Sequence, residues 1–529
     1  MIENLMMGLG TALTPGNLLW CFVGVLAGTV IGLLPGLGSS TGVAVLIPLT
    51  LGFEPVTALI MLAGIYYGSQ YGGTITSVLI STPGEASSVA TTFDGYQMAR
   101  RGRAGAALSI AAIGSFAAAI ASLLLLSALA PVFARMALNF GPAENLAVMV
   151  LGLATIIGFS GGSRLSGVAM AGLGLLLAMV GIDSATAESR FTFGSTNLLG
   201  GIPFVEVMIG LFAVGEVLYQ LRVGEATPIR ARFRDLVITR EELRRSGGPI
   251  VRGSLIGFVL GCLPGAGSTL ASFMAYGVEK RVSRRRSEFG SGAIEGVAAP
   301  ESANNAAANA NFIPTLALGI PGGATTAILL GALLVYGVQP GPLMFEEQPE
   351  LVWGLLASFF IGNVMLLVLN LPLAPLFAQL LRIPYAYLYP VIICTSFVGA
   401  YSIDNSLYSV WIVFVFGVVG YLMKLLGLPV APLVLGLVLG PLLEKALVQT
   451  SALGDGGFVL VAQSPIALAT LCLAAALAFG PALLAGVRRR IGPAAGAPRP
   501  AAPASATPGP TTETTTETTT ETTTEREDP

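Results

Sequence analysis

The sequence predicts an all-α polytopic membrane protein built as two inverted-topology repeats, each with a helical hairpin and a broken transmembrane helix, plus a C-terminal helix. Three observations carry that prediction. The composition is apolar and poor in charge, and it is cut into continuous runs of membrane-spanning length. Three motifs occur twice in the same order. Basic loops in one half correspond to non-basic loops in the other. Of 529 residues, 54% are hydrophobic and 11% are charged, against about 25% charged in ordinary soluble domains. A helix needs about 20 apolar residues to cross a bilayer. Runs of roughly that length or longer recur at Leu18–Leu34, Ala104–Leu129, Leu165–Val180, Val205–Leu221, Leu351–Leu381, Val410–Leu426 and Pro465–Val487. They are continuous rather than alternating, which selects helices over a β-barrel.

In chain order, the N-terminus MIENLMMGLG has no basic region and no small-residue cleavage site before its first apolar run, so no cleaved signal peptide is expected. Residues 17–50 read as a hairpin, 56–98 as a crossing broken near Pro83, the stretch to about 182 as three further crossings, and 203–221 as a return. The second half repeats the plan. The expected division is repeat 1 at 1–221, a basic cytoplasmic linker at 222–249, repeat 2 at 250–450, an additional C-terminal transmembrane helix at 451–490, and a tail at 491–529. The tail is Pro/Ala-rich and then repeats Thr-Thr-Glu. It cannot bury a core and is expected to be disordered.

The duplication is explicit. Gly-x-Leu-Pro-Gly-x-Gly-Ser occurs at Gly32–Ser39 and again at Gly261–Ser268, an offset of 229 residues (Pro35 to Pro264). Ser81–Ala86 (STPGEA) matches Gly319–Ala324 (GIPGGA), offset 238, and Gly201-Ile202-Pro203 with Gly210 matches Gly427-Leu428-Pro429 with Gly436, offset 226. Basic clusters lie at Arg100–Arg103, across 222–252, at Arg281–Arg286 and at Arg488–Arg490. The positive-inside rule places all four in the cytoplasm. The basic loop at 94–103 corresponds to about 332–341, which leads into Glu346, Glu347 and Glu350. The basic loop at 281–286 corresponds to Leu51–Glu54. Loops that exchange their charge between halves are the signature of inverted repeats, a frequent plan in secondary transporters.

Other function classes are excluded on composition. There is no histidine, so Ser–His and Cys–His catalysis and histidine metal sites are absent. Cys21, Cys262, Cys394 and Cys472 stand singly in apolar stretches, with no disulfide framework or CxxC. No Walker A motif is present. The chain reads as a non-enzyme with no cofactor and no nucleic-acid partner. A channel or an intramembrane enzyme is the alternative to a carrier.

Gly and Pro interruptions at matching positions of two halves point to a transport site, although the same residues also serve helix packing and kinking. Four interruptions occur, at Pro35–Thr41, Thr82–Ser88, Pro264–Thr269 and Pro321–Thr326. Each puts Pro-Gly where a helix stops and Ser or Thr where the next starts, and helix N-termini attract anions. The expected substrate-binding residues are therefore Gly36, Gly38, Ser39, Ser40, Thr41, Thr82, Gly84, Gly265, Gly267, Ser268, Thr269, Gly322, Gly323 and Thr325. Their pocket, with backbone N–H groups, hydroxyls and almost no cationic side chain, suits carboxylates. The coupling ion, Na+ or H+, is expected at Glu85 and at Asn304, Asn305, Asn309 and Asn311, because intramembrane carboxylates and amides are costly unless satisfied. Alanine at Gly38, Gly84, Gly267 or Gly322 is expected to weaken binding, and alanine at Gly174 or Gly210 to matter less. Asp94 and Arg100–Arg103 read as an interfacial loop.

The same residues resemble the large membrane subunit of the tripartite tricarboxylate transporters. The resemblance runs to about residue 487. It rests on Gly32–Thr41, Gly64–Gly68 with Tyr71–Gly73, Thr82–Glu85, Phe93–Tyr96 followed by basic residues, Leu263–Ser268, Pro300–Asn305 and Gly319–Gly323. It implies a three-part uptake system of bacterial inner membranes. In such a system a periplasmic solute-binding protein delivers a carboxylate, a small four-helix membrane subunit accompanies the carrier, and an ion gradient drives import. Family members handle substrates beyond citrate, so the particular carboxylate does not transfer. The Thr/Glu tail is outside the pattern.

Overall fold

Proline and small polar residues set where the helices begin. A computed structural model describes residues 2–34, 36–159, 163–183, 186–222, 238–265, 267–380, 385–453 and 457–490. The middle of the expected linker, 223–237, and the whole tail, 491–529, lie outside the described residues, as do Pro35 and Ala266. Residues 1–481 form one compact unit and 482–529 a second, of which only the end of the last helix is described.

α1 spans Ile2–Ala12. α2 spans Pro15–Gly32, with Pro15 in its first turn and the Thr14 hydroxyl accepting from the Asn17 amide. Proline there lacks only an N–H that a helix start would leave unpaired. α3 is Gly38–Thr50, α4 Pro55–Ile80, α5 Val89–Arg100, α6 Ala104–Leu138, α7 Pro142–Phe159 and α8 Arg164–Ala178. A two-residue antiparallel ribbon follows, β1 (Gly181–Ile182) with β2 (Ser189–Arg190). α9 (Phe204–Met208) and α10 (Gly215–Gln220) are joined end to end by a π-helical stretch, Ile209–Val214.

α11 spans Arg240–Gly261. A reciprocal cap between Thr239 and Glu242 starts it, so the last ten residues of the expected linker are helical. α12 is Gly267–Val282, α13 Glu295–Ala310, α14 Phe312–Leu318, α15 Ala324–Val335, α16 Met344–Glu347, α17 Pro349–Leu380, α18 Tyr385–Asp404, α19 Leu407–Leu425, α20 Val430–Ser451, α21 Gly457–Gln463 and α22 Pro465–Arg490. Five helices, α2, α6, the first 25 residues of α17, α19 and α20, are long and apolar enough to cross a membrane. The molecule is an all-α multi-pass membrane protein.

Its centre is made of two buried helices, α4 and α13. The matched motifs pack in matched ways. A Cβ at Gly24, Gly28 or Gly32 of α2 would collide with the carbonyls of Met61, Ile65 and Ser69 on α4. A Cβ at Gly253, Gly257 or Gly261 of α11 would collide with those of Ala299, Ala303 and Ala307 on α13. The glycine rows are 229 residues apart and their partners 238 apart, the offsets read from the motifs. Pro203 and Pro429 stand in the same extended conformation immediately before α9 and α20, each two residues after a left-handed glycine, Gly201 or Gly427. The helices that follow exchange partners. Gly210, in the α9–α10 rod, packs on α19 of the second half, and Gly436, in α20, packs on Ala171 of α8 in the first half.

The basic loops gather on one face. Arg103 pairs with Glu242, Arg245 with Glu288 and Glu295 (both 2.8 Å), Arg252 with Glu279 (2.8 Å) and Arg285 with Glu241 (3.4 Å). Hydrogen bonding to Glu295 raises the Arg245 guanidinium above its ordinary pKa. Asp94 is buried and accepts from the backbone N–H groups of Gly290, Gly292 and Ala293 at 2.7–2.8 Å and from the Tyr276 hydroxyl at 2.9 Å. It ties α5 to the α12–α13 loop. α6 starts at this face, and its 35 residues reach about 52 Å. Its far end, at Arg135 and Leu138, meets Asn4 and Glu346 around a cavity of about 100 Å³.

Candidate functional site

The two hairpin tips need glycine for conformational reasons. Gly36 and Gly38 have φ of +80° and +60°, and Gly265 and Gly267 have +76° and +65°. Side-chain-bearing residues lose about 1–2 kcal/mol in that left-handed region. The repeated Gly-x-Gly is thus a pair of left-handed turns that reverses the chain into the N-termini of α3 and α12. The two breaks also correspond. α4 ends on Ser81 in the left-handed conformation (φ 56°), and α14 ends on Gly319 (φ 68°). Pro-Gly follows in each. Donors freed by the breaks are recaptured locally, the Gly84 amide by the Thr76 hydroxyl (2.9 Å) and the Gly322 amide by the Thr315 hydroxyl (3.2 Å).

Tips and breaks surround one cavity of about 460 Å³. Gly36, Gly38, Ser40, Thr41, Gly84, Glu85, Gly267, Ser268, Thr269, Asn311, Gly323 and Thr325 line it, as expected residues brought together from the two tips, the two breaks and the end of α13. Ser39 lies behind them. Its hydroxyl and that of Ser40 share hydrogen bonds with the Thr325 hydroxyl (2.8 and 3.0 Å), which ties the first tip to the second break. The Thr41 hydroxyl donates to the Phe212 carbonyl in the π-helical stretch (2.9 Å). Such stretches recur at functional sites because they displace the backbone from regular helix bonding.

The Glu85 side chain accepts from the Ser39 backbone N–H at 2.5 Å, so the N-terminus of α3 already holds a carboxyl group of its own chain. At the related tip the geometry is open. Gly323 stands where Glu85 stands in the first half, and a Cβ on Gly267 would meet nothing within 4 Å. Asn311, 1% exposed, lines the cavity here. Its amide nitrogen donates to the Tyr66 hydroxyl at 3.4 Å, and its carbonyl oxygen has no partner.

Other expected residues stand elsewhere. Thr82, Gly265 and Gly322 do not line the cavity. Gly322 is fixed by close approach to Asn311, and Gly84 by the Gly32 carbonyl. Asn305 and Asn309 turn to α6, donating to the Ser115 hydroxyl (2.7 Å) and the Ser122 hydroxyl (2.8 Å). Asn304 is fully buried away from the cavity. The helical period explains the split, since neighbouring positions on α13 face different helices. Gly174 and Gly210 are as constrained as the tips. A Cβ would strike the Leu433 carbonyl at Gly174, and would come within 2.8 Å of the Val413 carbonyl at Gly210.

Among the described residues, the pocket lining includes one cationic side chain. Lys424 lines the pocket and ion-pairs with buried Glu216, which accepts from Gln220 at 2.9 Å. The Lys424 ammonium lies 5.5 Å from the Tyr219 ring centre. Gln70 and Tyr66 complete the polar lining. Lys424 and Glu216 were legible as charges inside the apolar runs Val410–Leu426 and Val205–Leu221. Nothing local marked Gln70.

Residues 18–435 match the tripartite tricarboxylate transporter TctA family. Two similar proteins come from Agrobacterium vitis. One, described as an uncharacterized 52.8 kDa protein in the TAR-I ttuC' 3' region, is 48% identical over 474 residues, covering 89% of this chain and 94% of that protein. The other, described as an uncharacterized protein in the TAR-II ttuC' 3' region, is 48% identical over 217 residues, covering 41% of this chain and 90% of that protein. No solved structure matches.

Proposed function

The chain belongs to the tripartite tricarboxylate transporter TctA family, and from that premise we propose that it is the carrier subunit of an ion-coupled system taking small di- and tricarboxylates across the bacterial inner membrane. In this reading a periplasmic solute-binding protein delivers the substrate, a small four-helix membrane subunit accompanies the carrier, and Na+ or H+ supplies the driving force. The carboxylate reading is carried by Glu85 on the Ser39 amide. A tip of this sequence, with two left-handed glycines leading into a helix N-terminus, already takes a carboxylate from its own chain. The related tip at Gly267, Ser268 and Thr269 has the same backbone turn and no acid opposite it, so a substrate carboxylate occupies it. Lys424, which is paired with Glu216, is the ammonium in the lining that a second carboxylate would share. The volume of about 460 Å³ falls within the range of about 300–1,000 Å³ usual for small-ligand pockets.

The two halves are inverted repeats in this proposal, each with its hairpin and its broken helix, and the cavity lies on their pseudo-twofold axis. The reciprocal packing of Gly210 on α19 and Gly436 on α8 supports it, as does the gathering of basic loops on one face, which is the cytoplasmic one. Binding to the purified carrier tests the substrate class. Di- and tricarboxylates should bind at least about tenfold more tightly than amide or ester analogues of the same shape, because each charge-assisted hydrogen bond contributes about 1.5–3 kcal/mol. Equal binding of acid and analogue would remove the carboxylate reading.

A further inference from the structure

Outside the large cavity, the centre of the molecule holds a further buried carboxylate, Glu301 on α13, 1% exposed. Its two oxygens stand against the hydroxyls of Thr74 (2.7 Å) and Thr91 (2.5 Å). Among the described residues no Lys or Arg ion-pairs with it. A carboxylate removed from water with only neutral partners is costly unless it is protonated, ion-paired or completed by a bound cation. Beside Glu301 lies a small cavity of about 10 Å³, room for about one water-sized particle. Its polar lining consists of Glu301, Thr74, Ser115, Tyr71 and Asn370.

Two of these groups have unsatisfied oxygens. The Tyr71 hydroxyl and the Asn370 side-chain oxygen have no hydrogen-bond partner, although their residues are only 5% and 4% exposed. Asn370 spends its amide N–H on the Leu366 carbonyl at 3.0 Å, which fixes the oxygen as its free end. Ile75, Leu108, Ala111 and Ala112 close the apolar side of this space, and the oxygen donors on its other side, one carboxylate with hydroxyls and an amide oxygen, suit a hard cation of low charge. Divalent ions bind with more carboxylates, and among the described residues no cluster of three or more acidic, Cys or His ligands exists.

We propose that the small cavity bounded by Glu301, Thr74, Tyr71, Ser115 and Asn370 is a dehydrated sodium site. The ion belongs to the carrier's driving force, and that role rests on the transport reading above. The site lies on the helices that shape the substrate pocket: α4 carries Tyr71 and Thr74 here and Tyr66 and Gln70 there, while α13 runs from Glu301 to Asn311 at its end. Sodium therefore fixes α4, α6, α13 and α17 together at one point, and its release frees the elements that hold the tips.

The test is the thermal unfolding midpoint of the purified full-length protein without carboxylate, in NaCl against choline chloride at constant ionic strength. Wild type and the surface control Glu346→Gln should rise in midpoint with sodium, as any ion bound only to the folded state requires. Glu301→Gln should show no sodium-specific rise. Tyr71→Phe, which removes one ligand oxygen, should raise the half-saturating sodium concentration about tenfold or more. Wild type indifferent to sodium, or a folded Glu301→Gln that keeps the full rise, overturns the site. Should Glu301→Gln fail to fold, Tyr71→Phe decides, and an unchanged half-saturation overturns it. Sodium stabilisation that persists in a protein unable to bind any carboxylate would overturn the transport reading and leave the ion site standing.

Discussion

At the scale of single residues, the charges inside apolar segments carry the most information. Lys424 and Glu216 neutralise one another at the pocket wall. Removing one partner leaves a buried charge and costs about 3–5 kcal/mol. Lys424→Gln alone is therefore expected to lower the unfolding midpoint sharply. Lys424→Met with Glu216→Leu should recover much of that stability without restoring tight binding of a tricarboxylate. Recovery of both would mean that the pair is structural only. Glu85→Gln keeps an oxygen to accept the Ser39 N–H, so the tip should hold its shape and uptake should fall without being abolished. Complete loss of uptake, with pH-independent residual exchange, would place the coupling proton on Glu85. The sequence made Glu85 visible because it interrupts a Pro-Gly break. It hid the roles of Asn305 and Asn309, since a run of amides on one helix gives no sign of which face each one takes.

At the scale of elements, the four interruptions were legible as Pro-Gly and Gly-x-Gly motifs, but their physical reason was not. The tip glycines answer to positive φ, and Gly84 and Gly322 to close packing. Gly267→Ala isolates the first cause, since nothing lies within 4 Å of its added methyl. It should strain the tip by about 1–2 kcal/mol and reduce carboxylate affinity about tenfold. Gly172→Ala in α8, also in open space, should leave affinity unchanged. Equal affinities in the two variants, measured on folded protein, would detach the second tip from the site. The breaks offer a related check on stability. Ser81 holds a left-handed conformation that its counterpart Gly319 adopts freely, so Ser81→Gly should be neutral or stabilising by up to about 1 kcal/mol. A lower unfolding midpoint would show that the Ser81 side chain is needed. The π-helical stretch at Ile209–Val214 left no trace in the apolar pattern, because it preserves hydrophobicity while changing the backbone register.

At the scale of the whole molecule, the duplication was readable because the same offsets recur in motif and in packing. Gly24, Gly28 and Gly32 repeat as Gly253, Gly257 and Gly261, and both rows lie against a central helix. The partner exchange between α8, the α9–α10 rod, α19 and α20 was not readable, since long-range contacts leave no local pattern. The charge distribution yields an accessibility prediction. Arg101, Arg240, Arg285 and Glu347 are all exposed. In a chain freed of native cysteines, cysteine at the three arginine positions should resist an impermeant thiol reagent in intact cells, and cysteine at Glu347 should react. Strong labelling at Arg285, or protection at Glu347 that permeabilisation does not relieve, would contradict the inverted arrangement. Under the proposed function, one pseudo-symmetric pocket carries a carboxylate across by alternating access. Counterflow in proteoliposomes addresses it most directly, using whichever carboxylate binds the purified protein. Transient accumulation of labelled substrate is expected, driven by unlabelled substrate loaded inside and with no ion gradient imposed. Labelled flux that ignores the internal substrate and simply runs down its own gradient would identify a channel and contradict it.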